Sequence, residues 1–591
     1  MLDARSILDA TRRVPLGLGP AGRTLVPNGY DLAAFLLVIG GLVALAHGIH
    51  GMREPLAALD AVPVELDPWH LPEYALRTSL RMSAAMAASL AFTFLIATLA
   101  AKSRKAELVV VPALDILQSV PVLGFLTFTV LFFLRLLPGS QLGAECAAIF
   151  AIFTSQAWNM AFSFYQSLRN VPRDLVEVSR GFGFPAWLTF LRLEVPFAVP
   201  GLVWNAMMSM SGGWFFVVAS EAISVGDSKL TLPGIGAWLS IAIERRDIPA
   251  VGWAVLAIAL VIVVYDQLVF RPIVAWADKF RFEQVAAQRR PRSWVYDLLR
   301  GTRLLKALPT LLRTLGDRLP APGVTQRHPT RAEGPSPTAS ATLPRLGDVV
   351  WISLVLALAS YAAWSIYAYV GATLGARDLI QALLLGCLTL VRVLVLIVLA
   401  SLVWVPIGVW IGLRPSVAER VQPLAQFLAA FPANVLFPFA VVGIVAFHLD
   451  PHIWLSPLMV LGTQWYILFN VIAGASAFPT DLREAATLYR LRPWQRWRRV
   501  ILPGIFPYYV TGALTASGGS WNASIVAEVA SWGDTELRAR GLGAYIAQAS
   551  EAGDFRRVVL GVAVMSLFVV AFNRLLWRPL YAYGERRFRL D

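Results

Sequence analysis

The chain has 591 residues, 57% of them hydrophobic and only 15% charged, with a formal net charge of +14 and a mean hydropathy of +0.62. A water-soluble chain of this size would expose more charge, and the continuous Leu/Val/Ala runs exclude the alternating pattern of a transmembrane barrel. What remains is an all-α polytopic membrane protein. Its basic residues sit in short loops beside apolar runs, which is the excess expected of cytoplasmic loops rather than a nucleic-acid surface.

Residues 1–30 form a basic arm with Arg5, Arg12, Arg13 and Arg23. The first apolar run starts only at Leu32, too long and too far in for a cleavable signal. Runs long enough to span a bilayer are expected at about 31–50, 76–101, 107–137, 146–168, 197–220 and 249–270. An acidic stretch with Glu54, Asp60, Glu65, Asp67 and Glu73 reads as external, whereas Lys102, Arg104 and Lys105 read as internal. The third run is expected to kink or break at Pro121. After the fifth run a polar loop is expected to about Asp247. Cys146 and Cys387 lie in apolar runs far apart, which supports neither a disulfide framework nor a zinc site.

Residues 276–345 change character. The part to about 317 is basic with interleaved apolar residues, as in a helix lying on a membrane surface. Leu319 to Pro344 is rich in Pro, Ser, Thr and Ala and reads as a flexible linker. Six further runs follow at about 349–371, 380–412, 423–447, 454–476, 503–527 and 557–577. Twelve spans with both termini cytoplasmic satisfy the positive-inside rule throughout, and they divide the chain into halves at 1–275 and 346–591.

The halves repeat one stretch without a gap. The first copy starts DLVEVSRGFGFPAWLTF and the second DLREAATLYRLRPWQRW. Asp174, Leu175, Glu177, Trp187, Pro196, Pro200, Gly212, Trp214 and Glu221 recur as Asp481, Leu482, Glu484, Trp494, Pro503, Pro507, Gly519, Trp521 and Glu528. Trp158, Phe162 and Pro172 match Trp465, Phe469 and Pro479 at the same offset, and Pro121 matches Pro432 with a small shift. Both copies run in the same orientation, so this is a parallel repeat about an axis along the membrane normal. The polar part of each copy is expected as a helix–turn–helix on the cytoplasmic face. In the first copy, Asp174 and Glu177 suit a helix N-terminus, and Gly181 and Gly183 permit the turn.

The spacing Glu-Ala-Ala, then Gly, then Ile-x-Leu-Pro resembles the cytoplasmic coupling motif of ATP-binding-cassette importer permeases. The second copy has Glu484-Ala485-Ala486 and Leu502-Pro503, with Arg490 where Gly is expected. The first has Glu177, Gly183 and Val195-Pro196, with Val178 and Ser179 in place of the two Ala. The Trp214…Glu221 and Trp521…Glu528 pairs resemble the fifth helix of nitrate/sulfonate/taurine/bicarbonate-type permeases, over about 75–270 and 380–580.

This resemblance implies a duplicated permease of the type I importer (MetI-like) fold in a bacterial inner membrane. It implies two partner ATPase subunits that bind ATP and Mg, no cofactor in this chain, and an extracytoplasmic binding protein that delivers the substrate. The coupling residues it implies are Asp174, Glu177, Gly181, Gly183, Asp481, Glu484, Ala485, Ala486 and Arg490. The substrate it suggests is a small anion.

On the fifth helices Ser211, Gly213, Trp214, Ser520, Trp521 and Asn522 supply small groups, donors and an indole wall; they read either as pathway lining or as tight helix packing. Glu221 and Glu528, in apolar segments, are functional by default. A bare carboxylate repels an anion, so they read as paired gate or packing residues. His448, Asp450 and His452 read as a polar loop rather than a metal site, and His47 and His50 likewise. No phosphate-binding GxxxxGK[ST] loop occurs. The alternatives are a twelve-helix secondary transporter with mid-membrane charges, of which few are evident, a permease for a non-anionic solute, and a membrane scaffold.

Overall fold

A computed structural model of the chain describes residues 29–51, 64–118, 120–225, 228–280, 293–302, 346–478 and 480–588. Most of the basic arm, Glu54, Asp60, Arg281 to Arg290 and the Leu319–Pro344 linker lie outside the described residues, as do the side chains of His47, His50, Asp481 and Arg483. The chain forms two compact units. The smaller comprises Met1–Ala46, Asp266–Lys279 and Glu283–Arg345, and among its described elements the Tyr30 ring lies beside Gly301. The larger comprises His47–Tyr265, Phe280–Phe282 and Leu346–Asp591. The second expected half and most of the first, His47–Tyr265, therefore share the larger unit.

The first half runs through α1 (Leu71–Lys102), α2 (Arg104–Leu117), α3 (Val122–Leu136), α4 (Gln141–Arg169), α5 (Arg173–Gly181) and α6 (Val195–Glu221). A hairpin of β1 (Ala222–Val225) and β2 (Ser228–Thr231) follows, then α7 (Ile235–Glu244) and α8 (Ile248–Tyr265). The second half has α9 (Leu346–Gly371), α10 (Ala376–Gly412), α11 (Pro415–Ala430), α12 (Phe437–Ala446), α13 (Gln464–Ser476), α14 (Thr480–Leu488) and α15 (Leu502–Ala527). It closes with β3 (Val529–Trp532), β4 (Thr535–Arg538), α16 (Leu542–Glu551) and α17 (Phe555–Phe572).

Twelve runs were expected as spans. Among the described residues, seven helices are long and apolar enough to cross a membrane, or up to nine if each of two bent pairs is one span. The shortfall has local causes. The third run is cut at Pro121, whose extended backbone (φ −69°, ψ 114°) separates α2 from α3. Pro432 does the same in the second half (φ −70°, ψ 112°), because proline lacks the N–H a continuing helix requires. The run at 454–476 is bent by 43° between Pro451–Leu461 and α13. α4 carries Gln, Asn, Ser and Thr side chains that dilute its hydropathy.

The polar loop expected after the fifth run is instead an antiparallel hairpin leading into a short helix, in both halves. Ala222 pairs with Thr231, and Val529 with Arg538. The second hairpin turns at Gly533, whose φ of +58° is the left-handed geometry a tight hairpin requires. The apolar core of the second half includes Trp521, Val564 and Trp577, and Leu123, Phe128 and Phe215 of the first half pack against it. Burial of large apolar side chains thus joins the halves.

Candidate functional site

Each fifth helix is entered through the expected helix–turn–helix. In the first half α5 is followed by Ala186–Thr189, a π-helical turn at Phe190–Glu194 and then α6. In the second, α14, Pro493–Arg496, a π turn at Trp497–Ile501 and α15 repeat that order. Both π turns end just before a proline, Pro196 or Pro503, whose missing N–H loosens the helical register there. The turn itself is the same in both halves. Gly183 has φ +71° and Arg490, at the matching position, φ +49°. Gly183 N–H donates to Arg180 C=O and Phe184 N–H to Ser179 C=O; Arg490 N–H donates to Thr487 C=O and Leu491 N–H to Ala486 C=O. This is a helix C-terminus closed by a left-handed residue, a place that favours glycine. Arg490→Gly is therefore expected to stabilise the second turn by about 1 kcal/mol. A higher unfolding midpoint of the purified protein would show it, and a lower one would mean that the Arg490 side chain holds the turn.

Glu177 and Glu484 are exposed on these turns, whereas Ser179 and the matching Ala486 are buried beneath them. Four aromatic rings stand out at paired positions: Phe182 (74% exposed) with Tyr489 (77%), and Trp187 (63%) with Trp494 (71%). Phe182 and Tyr489 were not singled out from the sequence. Their signal was there, as aromatic residues recurring at the repeat offset inside a polar segment. Exposed aromatic groups rimmed by charge mark a surface that meets a partner.

At the other end of the fifth helices lie two buried clasps. Glu221, fully buried, accepts from Thr78 Oγ1 (2.7 Å), from Arg81 Nη1 (2.6 Å) and from the Gly236 N–H at the start of α7 (2.6 Å). Thr78 Oγ1 in turn accepts from the Ile235 N–H (3.0 Å). The second half reproduces this. Glu528 accepts from Thr389 Oγ1 (2.9 Å), Arg392 Nη1 (3.2 Å) and the Ala544 N–H (3.0 Å), and Thr389 accepts from the Leu542 N–H (2.9 Å). Each glutamate thus ties its fifth helix to α1 or α10 of its half and to the N-terminus of the short helix after the hairpin, where backbone N–H groups favour an anion. Gly234 and Gly541 stand so close to the two carboxylates that a Cβ at either would overlap them.

The clasps differ in one respect. Arg81 also holds Glu145 in a two-pronged pair, Nε to Oε2 and Nη2 to Oε1, both 2.6 Å. Arg392 pairs with Glu528 alone among the described residues. The sequence suggested few mid-membrane charges; Arg81, Glu145, Glu221 and Glu528 are all buried.

Trp214 and Trp521, read from the sequence either as pathway lining or as tight packing, are 2% and 1% exposed. Each packs inside its own half, Trp214 edge-on to Tyr265 and Trp521 stacked on Phe568. In this conformation neither forms a wall. Ser211 donates to Met207 C=O, Ser520 shares a hydrogen bond with Thr463, and an added Cβ at Gly213 would strike Gln156 and Met82. These residues serve close packing here.

A different face of each fifth helix looks toward the opposite half. On α15, Asn522 accepts from the Val122 N–H (2.8 Å), at the start of α3 beyond the Pro121 break. On α6 the matching residue, Phe215, accepts through its C=O from Asn434 Nδ2 (3.3 Å), just beyond the Pro432 break. Met208, two turns back, packs against second-half residues. Along that same helical face, toward the helix–turn–helix, Trp204 and then Thr511 and Thr515 are exposed. At the hairpin end the halves touch directly: α7 packs on β3 and α16 on β1. The Gly533 N–H donates to Ile243 C=O (2.9 Å), and Arg246 pairs with Asp534 (3.1 Å). Arg246 has φ +55°, whereas the matching residue of the second half is Gly553, φ +65°.

His448 has φ +50°, Asp450 caps the His452 N–H, and His452 Nδ1 accepts from the Arg540 N–H. Among the described residues no group of three potential ligands could hold a metal ion.

Two parallel halves, each with a turn at one end and a clasped fifth helix facing its counterpart, define a duplicated helical transport permease. The chain belongs to the family described as binding-protein-dependent transport system inner membrane component, whose pattern matches residues 93–271 and again 404–589. It is 26% identical over 187 residues to the nitrate import permease protein NrtB of Leptolyngbya laminosa, covering 32% of this chain and 63% of that protein. It is 26% identical over 176 residues to the bicarbonate transport system permease protein CmpB of Synechococcus elongatus, covering 30% and 60%. It is 29% identical over 239 residues to the osmoprotectant import permease protein OsmY of Salmonella typhimurium, covering 40% and 93%. The chain thus spans less than two thirds of the length of the first two relatives.

Proposed function

We propose that this chain is a translocation subunit of an ATP-driven importer for a small anion. Separate ATPase subunits bind ATP and Mg and move the two coupling turns from the cytoplasm, where both termini also lie. A binding protein delivers the solute at the hairpin end. The observation that carries this reading is the paired arrangement of the fifth helices, each continuous with an exposed aromatic turn at one end and clasped at the other. A push on a turn runs along the helix through the π turn, and the clasp carries it to the hairpin and short helix that meet the opposite half. In this reading the contacts between the halves at the hairpin end close the passage there. The exposed faces at Trp204, Thr511 and Thr515 open toward the turns, as in a passage facing the cytoplasm.

The anion class rests on the nitrate and bicarbonate permeases among the relatives. The osmoprotectant permease, covered over most of its own length, favours a second reading in which the solute is not an anion. A cysteine-labelling test examines the passage. In a Cys146→Ser, Cys387→Ser background, modification of Thr515→Cys with a bulky thiol reagent is expected to abolish solute uptake. The same modification at Leu567→Cys, an exposed residue of α17, leaves uptake unchanged. Uptake that survives a fully labelled Thr515→Cys removes this face from the passage.

A further inference from the structure

A cavity of about 510 Å³ lies between the halves where three helix ends meet. Phe128, Leu131 and Phe132 of α3 line it, with Tyr369 near the end of α9 and Phe555 at the start of α17. Its volume is that of an ordinary ligand pocket. Phe128 and Phe555 meet ring to ring at 5.6 Å. The charged residue among the lining is Arg135, in the last turn of α3. A second guanidinium, Arg556, lies over the Tyr369 ring at 5.4 Å.

α9 and α17 belong to candidate membrane spans that end at Gly371 and begin at Phe555. The cavity therefore sits at a boundary between the apolar bilayer and the headgroup layer, the depth at which Tyr rings and long basic side chains collect. Phe132 and Tyr369 are themselves exposed there. Among the described residues, neither Arg135 nor Arg556 meets a carboxylate. The nearby acids are engaged elsewhere, since Asp378 and Asp554 both pair with Arg557.

We propose that this cavity binds an acidic phospholipid of the surrounding bilayer. An acyl chain lies against Phe128, Leu131 and Phe132, and the phosphate is held on the Arg135 and Arg556 side. Two features favour a lipid over a soluble anion: the lining is apolar apart from Arg135 and the Tyr369 hydroxyl, and its exposed rings stand where acyl chains are the solvent. Because the lining comes from both halves, a bound lipid bridges them.

The test uses the purified full-length protein in phosphatidylcholine nanodiscs carrying trace spin-labelled phosphatidylglycerol or, separately, spin-labelled phosphatidylcholine. The protein is expected to immobilise the phosphatidylglycerol label in preference. Arg135→Gln and Arg556→Gln, both near the surface, are each expected to lower that preference about fivefold. Leu131→Trp, which fills the cavity, is expected to remove the immobilised fraction while both arginines remain. Arg414→Gln, at the distant end of α10, leaves the preference intact. Equal immobilisation of the two labels overturns the proposal, and so does an unchanged preference in the Arg135→Gln/Arg556→Gln protein. A loss in Arg414→Gln as large as in the cavity variants reduces the effect to general charge and overturns it. Displacement of the label by millimolar inorganic phosphate reassigns the cavity to a small soluble anion.

Discussion

Arg81→Met is expected to destabilise the protein by about 3–5 kcal/mol, because it leaves Glu145 and Glu221 buried without their shared cation. Both carboxylates are almost completely excluded from solvent, and Arg81 satisfies them through three bonds of 2.6 Å. The loss would appear as a lower unfolding midpoint of the purified protein. The triple variant Arg81→Met, Glu145→Gln, Glu221→Gln separates charge from packing. With no charge left to bury, it is expected to recover most of the loss, since apolar replacement of a whole buried ion cluster is often neutral or better. Arg392→Met is expected to cost less, because it strands one carboxylate held at 3.2 Å and Arg392 is itself partly open. A midpoint for Arg81→Met within error of the unmodified protein would mean that the clasp does not stabilise the fold.

The second large effect concerns the two turns that precede the fifth helices. Under the importer reading, Phe182→Ala combined with Trp187→Ala is expected to weaken association with an ATPase subunit by about thirtyfold or more, as loss of a buried aromatic anchor does. Tyr489→Ala with Trp494→Ala is expected to do the same at the other turn. These side chains are exposed in the isolated chain, so their removal leaves its fold intact. Co-purification of the ATPase subunits and solute-stimulated ATP hydrolysis read the effect. Full co-purification with all four rings removed would place the partner elsewhere.

Much of this organisation is legible in the sequence, because the repeat prints it twice. Pro121 locates the break in the first half, Pro432 matches it in the second, and the repeated Glu positions with Gly183 locate the helix–turn–helix. The clasps were half visible. Glu221 and Glu528 stand out as carboxylates in apolar runs, but Arg81 lies 64 residues from Glu145 and 140 from Glu221. No local pattern links residues so far apart, and a single arginine in an apolar run gives no sign of its partner. The Trp pair stayed open to two readings for a different reason. α6 and α15 are apolar around most of their circumference, so composition does not say which face is open. The backbone does: Thr511, Thr515 and Asn522 share one face of α15, and Trp521 lies about a quarter turn away from it. The hairpins were hidden because four-residue strands after a long apolar helix leave almost no alternation to read.

Arg246 and Gly553 occupy matching places in the two halves, yet one reaches across to Asp534 and the other has no side chain with which to answer. In an assembly of two identical subunits any residue at this place would be copied on both sides of the axis, and each change would be tried in duplicate. A gene fusion removes that constraint. The paralogous halves are delivered in fixed one-to-one stoichiometry, so each is free to drift into a separate role. Arg246 is a mark of that drift: it tolerates a backbone conformation suited to glycine, and it gives the hairpin end an asymmetry that a symmetric homodimer could not possess.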